Sequence, residues 1–301
     1  MPIWFVYMKT AFTFLSRIPV SFWLFLLILA GVTGLLNTCN SETVEEVVLT
    51  KQKRKIALVA HRGAADTAPE NTLAAIRQAL QTPAEFIEVN IHQTKDKQIV
   101  VMHDASVDRT TNGEGNIEDL TLAEIKKLDA GSWYDSAYQN ERVPTLEEVL
   151  QLIKGKKKLL IEIKKGRDYY EGIENQTIAL LQENRAGDWC TLQSFYDPVL
   201  EKIWKNEISV PTHKLIVGKL PWLPLYYDHG IRWGSFEKYY RASAINVHHY
   251  FASKAFIRHV HQNGFKTFVW TVDDPEEINA IIDRGADGII SNKAASLSIQ
   301  L

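Results

Sequence analysis

From residue 55 onward, short apolar runs alternate with stretches whose apolar positions recur at helical spacing. Eight runs read as strands, at 56–60, 86–91, 159–163, 191–195, 215–217, 244–247, 267–272 and 288–290. Between them the pattern predicts helices near 72–81, 146–153, 175–183, 198–205, 254–263 and 275–284. Strands this short, separated by helices, predict repeated βαβ units and a parallel sheet. About eight of them over roughly 250 residues fit an α/β fold of the (β/α)8 TIM-barrel kind. A doubly wound open sheet is the alternative.

Two segments interrupt the alternation. Residues 105–144 are too long for an ordinary connection and predict a small inserted lobe. Residues 219–241, "KLPWLPLYYDHGIRWGSFEKYYR", are dense in Trp and Tyr. They read as a packed surface loop, a lid, or a face touching lipid headgroups, where such rings are at home.

The N-terminus follows a different pattern. Lys9 and Arg17 precede an uncharged apolar run over 18–36. Residues 1–39 therefore read as a signal peptide or a membrane anchor. "LNTC", ending at Cys39, resembles the lipobox of bacterial lipoproteins, although Thr38 stands where a smaller residue is usual. The expectation is an exported, cell-envelope protein, held at a membrane surface through an acylated Cys39 or an uncleaved helix. Residues 40–54 are polar and charged and read as a tether, leaving 55–301 as the folded domain. Cys190 lies in a strand-like run and is expected as plain core with no disulfide.

Composition adds little beyond exclusion. Of 301 residues, 46% are hydrophobic and 23% charged, which allows a sizeable core. The net charge of −2 argues against a nucleic-acid partner, since such binding neutralises phosphates with bulk positive charge.

The polar residues at strand exits carry the candidate chemistry. His61 and Arg62 follow the first strand, and His103 follows another apolar run, "VVMH". In "FIEVNIH", Glu88 and Asn90 are two apart and share a strand face; Glu162 and Lys164 in "LLIEIKK" repeat the arrangement. Charges inside apolar runs are costly unless paired or bound to a metal. One reading is a buried Glu–Lys network. The other is a divalent cation, Ca2+ or Mg2+, held by oxygens of Glu88, Asn90 and Glu162. Two histidines beside strand carboxylates suit a general acid and a general base. Arg62 offers a planar fork for phosphate, Lys164 a point charge, and Trp270 a pocket wall.

In order along the chain stand "HRGAADTAPENT", "IEVNIHQTKDKQIVVMHD", "DRTTNGEG", "VPTLEEVL", "LLIEIK", "VWTVDD" and "RGADGIISN". Together, over roughly 55–295, they resemble the glycerophosphodiester phosphodiesterase family. The resemblance implies a TIM barrel with a small insertion after the second strand. It implies divalent-metal-dependent hydrolysis of glycerophosphodiesters to glycerol 3-phosphate and an alcohol. By position, His61 and His103 match the catalytic histidines, and Arg62 the phosphate-binding arginine. Glu88 and Glu162 match metal ligands, and Lys164 the lysine paired with the latter. Two positions depart from the family pattern: Asn90 replaces an aspartate, and Ser291-Asn292 replaces Thr-Asp. The rival readings are a related barrel phospholipase or sphingomyelinase, and a membrane-tethered protein that binds phosphodiesters without cleaving them.

Overall fold

The computed structural model describes residues 56–206, 210–219, 223–228 and 230–297. The expected signal or anchor, the tether and Cys39 lie outside the described residues. No helix among those described is long and apolar enough to cross a membrane.

Strands follow in the order β1 (Ala57–Ala60), β2 (Phe86–Gln93), β3 (Ile99–Val101), β4 (Lys158–Ile163), β5 (Cys190–Ser194), β6 (Thr212–Ile216), β7 (Gly218–Lys219), β8 (Leu225–Tyr227), β9 (Ile231–Trp233), β10 (Ala244–His248), β11 (Lys266–Trp270) and β12 (Gly288–Ser291). The helices are α1 (Leu73–Ala79), α2 (Leu122–Ile125), α3 (Leu146–Ile153), α4 (Ile173–Glu183), α5 (Asp197–Lys205), α6 (Lys254–Gln262) and α7 (Pro275–Arg284). Eight strands are parallel and close on themselves as β1-β2-β4-β5-β6-β10-β11-β12, with β12 pairing back onto β1. This is the expected barrel. The open-sheet alternative fails because β1 bonds to both β2 and β12.

Inward rows alternate along each strand, and their character changes with height. Toward the N-terminal end of the strands the interior is filled by Val59, Phe86, Leu160, Ala244, Phe268 and Ile290. One step further along the same rows come Glu88 after Phe86 and Glu162 after Leu160. The lower barrel is largely apolar, broken by His213 against Phe268 and bonded to Asn246, and the charged side chains collect at the mouth. Gly288 lies opposite Phe268, and a Cβ there would run into that ring.

Three local departures from the sequence pattern have clear causes. Strand β6 starts at Thr212, earlier than the apolar run suggests, because Lys214 sits fully buried on its outer face. Its ammonium is 2.9 Å from Asp197 and 3.2 Å from Asp228, so the charge is paired where no apolar residue marks a strand. Second, the inserted lobe follows the antiparallel β3, which folds back on β2, and has its own core of Val107, Ile117, Ile125 and Val143. Third, residues 218–241 stand where the barrel's fifth helix would be expected. Strands β7-β8-β9 form a small antiparallel sheet, and Tyr226, Phe236 and Tyr239 pack with Phe256 of α6 in one core cluster. None of its described residues lines the mouth pocket. Cys190 is a buried free thiol.

Candidate active site

The exit of β1 is shaped by three residues with left-handed backbone: Arg62 (φ 55°), Gly63 (φ 84°) and Asn71 (φ 58°). This turn aims the Arg62 N–H at Glu88 Oε2 (3.0 Å) and lets the Arg62 carbonyl accept from Asn71 N–H (2.9 Å). Thr72 then caps α1 by accepting from Ala75 N–H. Gly63 lies against α1, where a Cβ would stand 2.8 Å from Ala75 Cβ. Gly63→Ala therefore combines backbone strain with overpacking, and a loss of about 1–3 kcal/mol is expected in urea unfolding. An unchanged midpoint would show that the turn has slack.

His61 leaves the turn with a defined tautomer. Asn292 donates from Nδ2 to Asp273 (2.7 Å), so its Oδ1 faces His61 Nδ1 at 2.6 Å and accepts the Nδ1 proton. The Nε2 lone pair is left toward the pocket, 3.8 Å from Glu88 Oε2. Burial, reinforced by Arg62, pushes the His61 pKa down to about 3. The ring is neutral at physiological pH.

His103 follows β3 rather than a barrel strand, and the β2–β3 hairpin carries it to the mouth. Its Nδ1 proton goes to Asp104 (2.7 Å), and its Nε2 accepts from Lys164 (3.2 Å). Burial and the Lys164 charge lower its pKa. Asp104 is gripped by Arg109 at 2.6 and 3.2 Å, and Arg109 in turn holds Glu70 at 2.8 and 3.0 Å. The Arg109 hydrogen bonds hold Asp104 well below the usual carboxylate range. Glu70 also takes Arg62 NH1 (2.8 Å), closing a chain of ion pairs from Arg62 round to His103. Arg62 Nε remains buried without a partner. A donor that costly to leave bare suits an anion in the pocket.

Register sets the carboxylates side by side, since Asn90 on β2 is opposite Glu162 on β4. Glu88 and Glu162 are buried, and Lys164 lies 2.8 Å from Glu162. Burial, and then the charge of Glu162, push the Glu88 pKa up to about 7. Two hard-oxygen donors whose mutual repulsion a cation would relieve fit a divalent ion. Asn90 turns its amide N–H, not its oxygen, toward this pair. Its Nδ2 donates to Glu88 (2.7 Å) and Glu162 (3.1 Å), and its Oδ1 is turned away to Asn71. The Asn90 group facing the carboxylates is an N–H, where the sequence led to the expectation of an oxygen.

One pocket is lined by His61, Arg62, Glu88, His103, Glu162 and Lys164 on its polar side and by Phe195, Leu215, Trp270 and Ile290 on its apolar side. Trp270 meets Phe195 edge-on at 5.6 Å, and its indole N–H is buried without a partner. Glu70, Asp104, Arg109 and Asp273 went unassigned from sequence, although all four lie inside the motifs "PENT", "MHD", "DRTT" and "VDD". The carboxylates beside histidines or arginines in those motifs were the available signal.

A guanidinium and an ammonium beside two neutral imidazoles equip the mouth of a barrel for hydrolysis of a phosphate ester. The family follows from comparison with known proteins. The chain belongs to the glycerophosphoryl diester phosphodiesterase family, whose profile matches residues 61–296. It is 39% identical over 235 residues to YhdW of Bacillus subtilis, covering 78% of this chain and 93% of that protein. It is 37% identical to a glycerophosphodiester phosphodiesterase of Caldanaerobacter subterraneus, over 81% of this chain and 96% of that one. Among solved structures, an Oleispira antarctica phosphodiesterase in complex with the product sn-glycerol-3-phosphate is similar, with a TM-score of 0.69 and 26% identity. That match covers 80% of this chain and 94% of that one. The protein is accordingly a phosphodiester hydrolase.

Proposed function

We propose that this pocket hydrolyses glycerophosphodiesters to glycerol 3-phosphate and an alcohol by histidine acid–base catalysis, with a divalent cation at Glu88 and Glu162. The observation carrying the reading is the pair of neutral imidazoles, each with a defined Nδ1 proton, at one pocket with Arg62 and Lys164.

Arg62 Nε and Lys164 grip the non-bridging phosphate oxygens, and Trp270 walls the glycerol or alcohol side. His103 takes the proton of the attacking oxygen, because Asp104 accepts from its Nδ1 and stabilises the imidazolium that results. His61, neutral in the free protein, first takes up a proton from solvent at Nε2, which the negative charge of a bound phosphodiester favours, and then gives that proton to the leaving alcohol. The cation, when bound, adds positive charge to oxygens that become more negative in the transition state. At the N-terminus, we read 1–39 as the element that holds the domain at a membrane, and palmitate labelling lost in Cys39→Ser tests the acylated form.

Asn292 supplies a pH test. It is a neutral acceptor for His61, so Asn292→Asp sets a carboxylate there and favours the imidazolium. A group acting as the acid then stays protonated to higher pH, and the alkaline limb of kcat against pH is expected to move up by about one unit. A limb that stays in place, or an acid limb that moves instead, reassigns the role of His61.

The decisive assay incubates the protein with glycerophosphocholine and Mg2+ or Ca2+ and measures glycerol 3-phosphate. Cleavage of intact phospholipid instead would favour the phospholipase-type reading. Ligand-induced stabilisation without product would leave a binding protein.

A further inference from the structure

We propose that this site takes its divalent cation only weakly by itself, and strongly together with a phosphate-bearing ligand, because Asn90 offers the ion N–H groups in place of an oxygen. This rests on the reading that an ion binds at Glu88 and Glu162.

The orientation of Asn90 is fixed by its neighbours. The backbone N–H of Asn90 donates to Asn71 Oδ1 (3.2 Å), which leaves Asn71 Nδ2 as the group facing the Asn90 side chain. That Nδ2 donates to Asn90 Oδ1 at 3.1 Å. Flipping the Asn90 amide would set two NH2 groups against each other and point its oxygen at two carboxylates. Asn71 is itself held by its left-handed backbone and its bond to Arg62. The Asn90 NH2 therefore bridges Glu88 Oε1 and Glu162 Oε2 as a built-in cross-brace.

Every carboxylate oxygen of the pair already has a donor. Glu88 Oε1 takes Asn90 and Oε2 takes the Arg62 N–H; Glu162 Oε2 takes Asn90 and Oε1 takes Lys164. Each keeps further lone pairs, so an ion can share them, but only against those donors. Two carboxylates beside one ammonium leave at most a single net negative charge. Among the described residues, no group of three or more His, Cys, Asp or Glu side chains could hold a metal. A divalent cation prefers at least six oxygens and a compensating charge. The phosphate group gripped by Arg62 and Lys164 brings both. Ion and phosphate are then mutually dependent ligands, and the coupling must be reciprocal.

The test is calorimetry on the full chain, titrating MgCl2 with and without saturating glycerol 3-phosphate, in wild type and Asn90→Asp. In wild type, glycerol 3-phosphate should tighten Mg2+ binding at least about tenfold, and Mg2+ should tighten glycerol 3-phosphate by the same factor. Asn90→Asp should bind Mg2+ alone about tenfold more tightly than wild type, with most of the coupling gone. Wild-type Mg2+ binding that glycerol 3-phosphate does not strengthen overturns this inference and leaves the ion site standing. Equal binding by wild type and Asn90→Asp does the same. No Mg2+ binding in either protein, with or without glycerol 3-phosphate, removes the ion site as well. A melting scan checks that the variant is folded; if it is not, the wild-type coupling alone decides.

Discussion

Glu162→Ala is expected to lower turnover of glycerophosphocholine by about 10³-fold or more while the protein stays folded. Glu162 holds Lys164 at 2.8 Å and receives one arm of the Asn90 bridge. Its loss frees Lys164 from its anchor and removes one of the two carboxylates offered to the ion. It also leaves His103 facing an ammonium that has lost its partner at 2.8 Å. Removing one preorganised electrostatic element commonly costs about 10²–10³ in rate, and here one substitution disturbs two. The fall should appear mainly in kcat. A decrease of less than about tenfold, with an unchanged melting temperature, would mean that Glu162 is structural and that the reaction is organised elsewhere.

Mild acid is expected to destabilise the fold by about 3 kcal/mol between pH 6.5 and 5. His61, His92 and His213 each have a pKa lowered to about 3, burial being the first cause in every case. His92 shows why: both ring nitrogens are spent on a neutral ring, with Tyr170 OH at 2.9 Å and the His103 carbonyl at 3.1 Å. The unfolded chain takes up these protons below about pH 6.5, and the folded protein does not. Stability is therefore complete above that pH and is lost as pH falls, by about 1.4 kcal/mol per unit for each ring. Glu88 works in the opposite sense. Its pKa of about 7 lies above the unfolded value, so the folded state binds the proton first and offsets roughly one histidine. The remaining loss is a large share of the 5–15 kcal/mol typical of a domain. Urea unfolding at pH 7.5 and 5.0 measures it; equal midpoints would show that these rings titrate normally.

The barrel was legible because it is written in periodicity. Each of the eight barrel strands overlaps a short apolar run, and α3 and α7 begin and end where the helical spacing does. Helix α3 is bounded by the Thr145–Glu148 capping box, a signal carried in the sequence itself. The displacement of β6 came from Lys214, whose partners Asp197 and Asp228 are contributed by other segments. The same distinction runs through the pocket. Residue types at strand ends could be read off, whereas Arg109 acquires meaning only when folding brings it to Glu70 and Asp104. For Asn90 the residue was visible and the orientation was not. Which end of the amide faces Glu88 depends on Asn71, 19 positions earlier, in a turn with left-handed backbone. No local pattern encodes that choice.

The first strand bonds to the last, so His61 meets Asn292 across 231 positions of sequence. That hydrogen bond is made only once the cylinder has shut. Asn292 directly follows β12, so without that strand His61 has no tautomer partner. Under the proposed mechanism, the imidazole at the end of β1 therefore acquires its oriented proton only when β12 and Asn292 are in place.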